Sequence, residues 1–262
     1  MKHLAGIFIM TVFAFSCNSK NPDIFELGKS DLEESNLRGK VWKIQKTIHR
    51  VGDNCRCPAA ERDECNQASF VYNEKGNLIE SCDIDNNGNI DFTYKYVYNK
   101  YGECLEIDRF SGDQLMGKEV NIHDEGKITE VKEFNEKGIN EKIYKYEYSN
   151  NEVSDGRILN KAGYVIATFH NEYKNGQLVL QMEKDSIGEI LSIVNYKWNT
   201  HNDKIETITT YPKAKSEYQL TYDYEYDEAG NWVKQTQLFD GEVVKIVMRD
   251  STYYEDNEIV SL

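Results

Sequence analysis

The chain has 262 residues, of which 39% are hydrophobic, with 18 Tyr and 17 Gly but only 3 Pro. This apolar and aromatic content excludes a disordered chain. The formal net charge of −14 comes without any concentrated basic stripe, which argues against a nucleic-acid partner.

The first seventeen residues predict export. A short basic start, Met1–His3, precedes the apolar run Leu4–Phe15, which has the length of a signal-peptide core and is too short for a permanent membrane span. Ser16 before the first cysteine resembles the lipobox of bacterial lipoproteins. The resemblance implies cleavage before Cys17 and acylation of its thiol, with plain secretion as the alternative.

This start predicts three parts of the chain. Residues 1–17 form a lipoprotein signal peptide ending at the acylated Cys17, residues 18–36 form a polar tether, and residues 37–262 form a single domain. Several acyl chains on one residue would anchor the protein durably in a membrane. We therefore expect an exported, outer-membrane lipoprotein that faces either the periplasm or the cell surface.

A first strand is predicted at Leu37–Ile48, where apolar and polar residues alternate. The charged segment Gly52–Gln67 breaks this rhythm. From Phe70 onward, two interleaved series of turn residues each repeat about every 25 residues. The first series is Gly76, Gly102, Gly126, Asn151, Gly176, Asn202 and Gly230, and the second is Gly88, Gly112, Gly138, Gly163, Gly188 and Gly241.

The repeat predicts an all-β fold with no helix after residue 70. Short Asn/Asp/Gly turns join antiparallel neighbours, and their spacing leaves about eight residues per strand. We expect an antiparallel meander of about seven two-stranded repeats, forming a curled open sheet or a partly closed barrel. The strands at Lys40–Ile48 and Glu242–Met248, the latter with Tyr253 and Tyr254, are the expected end caps.

One face of the sheet is predicted to be apolar and aromatic, while the Lys and Glu residues in between lie on a wet face. Each turn should bring an aromatic or aliphatic residue before it against an apolar residue after it. The predicted pairs are Tyr72 with Leu78, Tyr98 with Leu105, Ile122 with Ile128, Tyr148 with Val153, Tyr173 with Leu178, Trp198 with Ile205, and Tyr226 with Trp232.

The units Tyr72–Leu78 and Tyr226–Trp232 resemble the tyrosine–aspartate (YD, or RHS-type) repeat, and they are similar to the hairpin repeats of the MORN kind. The whole arrangement resembles uncharacterised repeat lipoproteins of Gram-negative bacteria. The resemblance covers about residues 37–254 and implies the architecture. It supplies no catalytic residues, and the toxin-encapsulating role of large RHS proteins is not carried over to this short chain.

A calcium site is one reading of the segment Asp83–Asp91. Asp83, Asp85, Asn87 and Asp91 place oxygen donors at the first, third, fifth and ninth positions of an EF-hand-like loop, with Gly88 at the sixth. The twelfth position is Tyr94 instead of the usual Glu. The alternative is an ordinary hairpin turn, in which Asp, Asn and Gly are expected anyway.

Five cysteines remain besides the anchor. Cys55, Cys57, Cys65 and Cys82 are candidates for a disulfide that staples the Gly52–Gln67 segment, since an exported chain reaches an oxidising compartment. A metal site is the weaker reading because no paired Cys-x-x-Cys motif or nearby His is present. With Cys104 the number is odd, so at least one thiol stays unpaired, and the connectivity stays open.

No nucleophile elbow or phosphate-binding glycine loop occurs, so we expect a protein that is not an enzyme. The leading hypothesis is a lipid-anchored β-repeat scaffold or binding surface for a protein or a glycan. No cofactor is expected apart from the possible calcium. The alternatives are a carbohydrate-active enzyme and a purely structural envelope spacer. The tyrosine rows could stack on sugars, although a core stripe explains them as well.

Overall fold

The computed structural model describes residues 30–51, 67–85, 87–254 and 259–261. In this part of the chain, strands alternate with short turns after a single four-residue helix. The elements are α1 Asp31–Glu34, β1 Val41–Arg50, β2 Gln67–Tyr72, β3 Leu78–Ile84, β4 Ile90–Tyr98, β5 Cys104–Ser111, β6 Gln114–Asp124, β7 Lys127–Asn135, β8 Asn140–Ser149, β9 Glu152–Asn160, β10 Val165–Lys174, β11 Gln177–Asp185, β12 Ile190–Trp198, β13 Lys204–Tyr211, β14 Ser216–Tyr226, β15 Trp232–Phe239, β16 Glu242–Tyr254 and β17 Ile259–Ser261.

The strands form a closed antiparallel barrel. Each strand from β1 to β16 pairs with the next, and β1 also pairs with β16, from Val41 opposite Tyr253 to Arg50 opposite Lys245. The short strand β17 pairs with the far end of β16. The predicted all-β meander is therefore confirmed. The two strands expected as end caps pair with each other instead, because closure gives their unpaired N–H and C=O groups partners.

The turn residues predicted from the sequence lie at the turns, and all of them have a positive φ. Asn99 shows how such a turn is built: its Oδ1 accepts hydrogen bonds from the backbone N–H groups of Tyr101 (2.9 Å) and Glu103 (3.1 Å). Gly102 follows with φ +87°, which L side chains rarely adopt. The first turn series lies at the end of the barrel where β1 begins, named here the N-terminal rim, and the second lies at the opposite rim.

The pairing register divides the side chains into two faces. Four of the predicted pairs are register partners: Tyr72 with Leu78, Tyr148 with Val153, Tyr173 with Leu178, and Tyr226 with Trp232. Their face also carries the most buried side chains, among them Leu220 and Ala167. The aromatic face is therefore the drier one, as the sequence predicts.

The other three predicted pairs are wrong by one residue. Tyr98 lies opposite Cys104, His123 lies opposite Ile128, and Trp198 lies opposite Lys204. A bulge lies next to all seven turns of this rim, including the four predicted correctly, and in the three wrong pairs one predicted partner is the neighbour of the residue that the register selects. Leu105 and Ile122 consequently lie on the outer face, with 38% and 37% of their surface exposed.

Residues 30–38, named here the strap, cross the mouth of the barrel at the N-terminal rim. Asp31 Oδ2 accepts a hydrogen bond from Tyr98 Oη (2.7 Å) at the end of β4. Asn36 Nδ2 donates to the carbonyl oxygen of His201 (2.5 Å), just before β13. Around the wall, β4 and β13 are seven strand spacings apart, roughly 34 Å. Five residue steps reach at most about 18 Å, so the strap runs as a chord across the opening.

The strap identifies the inner face of the barrel. Leu32 and Leu37 of the strap are buried against Val41, Ile44 and Tyr72. Because the strap crosses inside the ring of strands, the face that it contacts is the inside, and the aromatic face lines the interior. In the part of the chain that the structure describes, no helix is long and apolar enough to cross a membrane.

Candidate functional site

The inner wall holds rows of aromatic side chains that are fixed at the N-terminal rim. In four hairpins, the aromatic residue near this rim donates a hydrogen bond to the backbone carbonyl of the residue 20 positions earlier. The pairs are Tyr98 with Leu78 (2.6 Å), Tyr148 with Ile128 (2.8 Å), Trp198 with Leu178 (2.8 Å) and Tyr224 with Lys204 (2.7 Å). This repeated bond satisfies the polar end of each ring and fixes the orientation of the ring.

The tyrosine hydroxyls of this wall stay protonated at neutral pH. Burial raises the pKa of Tyr72 and of Tyr96 to about 12. Tyr222, whose hydroxyl accepts a hydrogen bond from Thr207 Oγ1 at 3.4 Å, is also buried. Such hydroxyls can both donate and accept hydrogen bonds, as a polar ligand requires.

Charged and amide side chains lie among these rings, although the sequence pattern places charges on the outer face. The register puts Arg249 and Gln237 on the inner wall, and it does the same for Glu119, Glu133 and Glu183. The signal for this placement is the strand alternation itself, because Arg249 is in phase with the inward-facing Val247 and Tyr253. The inner wall is therefore amphipathic.

Arg249 is the most unusual residue of this wall. Only 4% of its surface is exposed, and its guanidinium carbon lies 3.8 Å from the centre of the Trp232 ring. Across the strand pair, the Nζ of its register partner Lys46 lies 4.6 Å from the centre of the Phe70 ring. Burial lowers the pKa of Arg249 to about 10, and the nearby Asp203 carboxylate opposes this shift. The guanidinium is thus held over an aromatic ring in a desolvated position.

Several buried polar atoms of the inner wall bond to no protein group. Among the described residues these include Nε and Nη2 of Arg249, Oη of Tyr146 and Oε1 of Glu183. Burial also raises the pKa of the Glu183 carboxyl above its ordinary value. Buried polar atoms are normally bonded to protein or water, so these atoms mark positions where water or a ligand would complete the wall.

Two inner-wall carboxylates lie side by side. Glu119 on β6 and Glu133 on β7 are register partners, and Tyr144 Oη donates a hydrogen bond to Glu133 Oε2 at 3.3 Å. Lys142 Nζ lies 3.8 Å from the same Glu133 oxygen. Burial, and then the charge of Glu133, raise the pKa of Glu119. Two carboxyl groups in unlike environments can serve as an acid and a base.

Three of the proposed calcium ligands, Asp83, Asp85 and Asp91, have different surroundings in the structure. Asp85 Oδ1 accepts hydrogen bonds from the backbone N–H groups of Asn87 and Asn89, both 2.8 Å, as Asn99 does in its turn. Asp83 faces the inner wall, where Tyr94 Oη donates to it at 3.2 Å. Asp91 is exposed and lies at an irregularity of the strand pairing, where it has no register partner on β3. Among the described residues, no three or more His, Cys, Asp or Glu side chains are grouped so that they could hold a metal ion.

Three of the four disulfide candidates, Cys55, Cys57 and Cys65, lie outside the described residues. Cys82 is buried, and its Sγ lies 3.6 Å from Thr93 Oγ1. Within the described ranges, Cys82 and Cys104 carry free thiols. Burial raises the pKa of the Cys104 thiol to about 12, which makes this group unreactive at neutral pH. Cys17 also lies outside the described residues.

The strap was not predicted as part of the folded domain, because residues 30–36 fall in the polar segment expected to be a tether. A local signal for its helix is present in the sequence. Ser30 and Glu33 form a capping box, in which each side chain bonds to the backbone N–H of the other residue. The contacts of the strap with distant turns have no signal in the sequence.

Comparison with known proteins finds no matching family model and no matching curated protein. Among solved structures, the chain is similar to a porin-like protein from Bacteroides uniformis, with 11% identity, a TM-score of 0.39, and coverage of 80% of this chain and 97% of that chain. It is also similar to a porin-like protein from Bacteroides vulgatus, with 10% identity, a TM-score of 0.43, and coverage of 82% and 99%.

A third solved structure with local similarity is the Photorhabdus luminescens Tc holotoxin pore. The identity is 8% and the TM-score is 0.19, with 76% of this chain and 16% of that chain covered. The strand pairing within this chain establishes the barrel by itself.

Proposed function

We propose that this protein is a non-enzymatic, lipid-anchored protein of the cell envelope that binds a glycan on the inner wall of its barrel. The observation that carries the proposal is the composition of that wall, which contains aromatic rings together with buried polar atoms that lack a protein partner. Sugars present apolar ring faces together with hydroxyl groups. A wall of fixed rings and free donors and acceptors complements both.

The outer wall supports the anchor part of the proposal. It carries ion pairs between neighbouring strands, such as Lys145 with Glu130 (3.1 Å) and Lys197 with Glu206 (2.7 Å). A charged surface of this kind favours attachment through an acyl chain over burial of the wall in lipid.

Binding is tested with residues 21–262 on a glycan array, followed by titration calorimetry of the glycans that bind. Tyr196→Ala removes an inner ring that lies 6.5 Å from the Trp198 ring, and we expect about five- to tenfold weaker binding. The matched control is the adjacent outer residue, Lys197→Ala, which should bind as the wild type does. Equal effects of both changes, or binding of no glycan at all, would refute the proposal.

The test distinguishes the other readings of the fold. A pull-down that recovers one stoichiometric protein partner, combined with a blank array, would support a protein-binding surface. Failure of both would leave the structural spacer. The anchor is tested separately by metabolic palmitate labelling of the wild type and of Cys17→Ala. Equal labelling of the two proteins would exclude the lipid anchor.

One observation favours a carbohydrate-active enzyme as a second candidate. Glu119 and Glu133 are directly opposed on neighbouring strands beside Tyr144, and directly opposed side chains have Cβ atoms about 4.5–5.5 Å apart. Most glycosidases use a pair of Asp or Glu residues that flank the bond they cleave. Hydrolysis of an array-positive glycan by the wild type, with loss of activity in Glu119→Gln but retained binding, would establish this alternative.

A further inference from the structure

The unpaired nitrogens of Arg249 form one edge of its guanidinium group. Nε and Nη2 each have an N–H bond on the edge of the guanidinium that is opposite to Cδ. These two N–H bonds are parallel, so they can donate to the two oxygens of one carboxylate. Both atoms are buried and bond to no protein group. Trp232 lies against the face of the guanidinium at 3.8 Å, which fixes the plane in which that edge points.

The two carboxylates that act on the charge of this guanidinium already accept hydrogen bonds from tyrosines. Asp203 accepts a hydrogen bond from Tyr226 Oη at 2.8 Å, and Asp227 accepts one from Tyr253 Oη at 2.9 Å. Both acids lie close enough to Arg249 to act on its charge, yet neither bonds to its free edge. The protein therefore brings a cation into a desolvated position without supplying the anion that fits it, and desolvating an unpaired charge is costly.

The strap lies over this part of the wall. Leu37 packs against Ile44 and Tyr72, and Ile44 is the register partner of Ser251, two residues from Arg249. Strap residues also bind the two turns that hold Asp203 and Asp227, since Asn36 bonds to the carbonyl of His201 and Arg38 bonds to Asn231. A group that reaches Arg249 from the N-terminal rim must pass the strap.

We propose that the inner wall at Arg249 is a subsite for a carboxylate group on the bound ligand, so that the ligand is an acidic glycan of the uronate class. The carboxylate subsite does not require glycan binding. Only the statement that the carboxylate belongs to a glycan rests on the proposed function. A carboxylate fits better than a phosphate group, because the two N–H donors on this edge of Arg249 match the two oxygens of a planar, singly charged anion. Lys46, over the neighbouring Phe70 ring, adds positive charge to the same region.

The subsite itself is tested without any glycan. Thermal unfolding of residues 21–262 is measured in acetate and in chloride at matched ionic strength. Acetate should raise the unfolding midpoint of the wild type, because a ligand that binds only the native state stabilises it. The rise should be absent in Arg249→Met. The control is Arg157→Met on the outer wall, where the arginine is 2.9 Å from Glu147 and half exposed, and this variant should keep the rise.

Arg249→Met also reports on the cost of the unpaired charge. In the absence of ligand, the unfolding midpoint of this variant should be equal to or higher than that of the wild type, since methionine removes a desolvated charge and keeps most of the volume. A clearly lower midpoint in chloride would show that Arg249 is paired within the protein and would overturn the proposal.

The ligand class is tested by calorimetry with trigalacturonate, its methyl ester and inorganic phosphate. We expect the wild type to bind the acid at least about thirtyfold more tightly than the ester. This preference should vanish in Arg249→Met and fall at least about tenfold in Arg249→Lys, which keeps the charge but loses the two-donor edge. Phosphate should bind more weakly than acetate.

The outcomes separate this inference from the proposed function. Equal binding of the acid and the ester by the wild type, or a preference that survives Arg249→Met, would overturn the carboxylate subsite and leave glycan binding intact. Tighter binding of phosphate than of acetate would also overturn it. Arg249-dependent stabilisation by acetate with no glycan bound would support the subsite and refute the glycan proposal.

Discussion

The end of the strap at Arg38 is held by one buried side chain, Asn231, and replacing this residue should release that end from the barrel. Asn231 is only 1% exposed, and its Oδ1 accepts a hydrogen bond from the backbone N–H of Arg38 at 2.7 Å. Its Nδ2 donates to the Arg38 carbonyl and to Tyr253 Oη, both at 2.9 Å. The Asn231→Ala substitution therefore removes three hydrogen bonds and leaves both backbone groups of Arg38 without these partners.

The expected cost follows from these three bonds. Each contributes a net of about 0.5–1.5 kcal/mol, and an orphaned buried group costs more, so we expect Asn231→Ala to destabilise the protein by about 3 kcal/mol. The measurement is equilibrium urea unfolding of residues 21–262, followed by tryptophan fluorescence. Hydrogen exchange at the Arg38 amide, which loses its acceptor in this variant, should become faster.

The chain supplies a matched control at the opposite rim. Asn89 also follows a turn glycine, but its Nδ2 makes one exposed hydrogen bond, to Asp85 Oδ2 at 3.1 Å. Its turn hydrogen bond uses the backbone N–H, which an alanine retains. We expect Asn89→Ala to cost less than about 1 kcal/mol. If the two variants differ by less than about 1 kcal/mol, Asn231 does not hold the strap in the way described here.

Three further predictions concern the inner wall and one turn. Burial raises the pKa of the Glu183 carboxyl, so the native state holds this proton more tightly than the unfolded chain, and stability falls as the pH rises above about 4.5. Glu183→Gln should therefore raise the unfolding midpoint at pH 7 but not at pH 4.5. An equal change at both pH values would contradict this. A Cβ atom at Gly156 would clash with the Phe169 ring, so Gly156→Ala should cost about 1–3 kcal/mol in urea unfolding and much less in a Phe169→Ala background. Asp85→Asn should leave the stability of the protein unchanged, because Asn99 accepts the same hydrogen bonds in its own turn, whereas Asp85→Ala should lower the stability. In calcium titration calorimetry, heat in the wild type that disappears in Asp85→Asn would support the calcium site. No heat in either protein would exclude the site.

The all-β meander could be predicted because its causes are local. A Gly or Asn with positive φ at each turn, such as Gly102, and alternation of apolar and polar residues in each strand act over a few residues. The bulges next to the turns could not be predicted, because which residue bulges depends on how the two strands twist together. The predicted partners Leu105 and Ile122 consequently lie outside the barrel, with Cys104 and His123 inside.

The candidate site was predicted only in part. The rows of tyrosines, such as Tyr144, Tyr146 and Tyr148, were assigned to the apolar face, and they do lie on the inner wall. The alternation of the sequence places charged residues as a class on the outer, wet face. Arg249 is buried because a closed barrel surrounds it with Trp232, Tyr72 and Lys46 from other strands. No pattern within one repeat encodes that environment.

The amino-acid sequence by itself determined the repeat, the positions of the turns and the two faces of the strands, because each depends on backbone preferences and alternation within one hairpin. Only the tertiary structure decided that β1 pairs with β16, that the strap crosses the mouth, and that Asn231 is buried while Asn89 is exposed. These outcomes depend on which distant segments meet when the ring closes. The Gly-Asn pair is the same in both turns and carries no information about that.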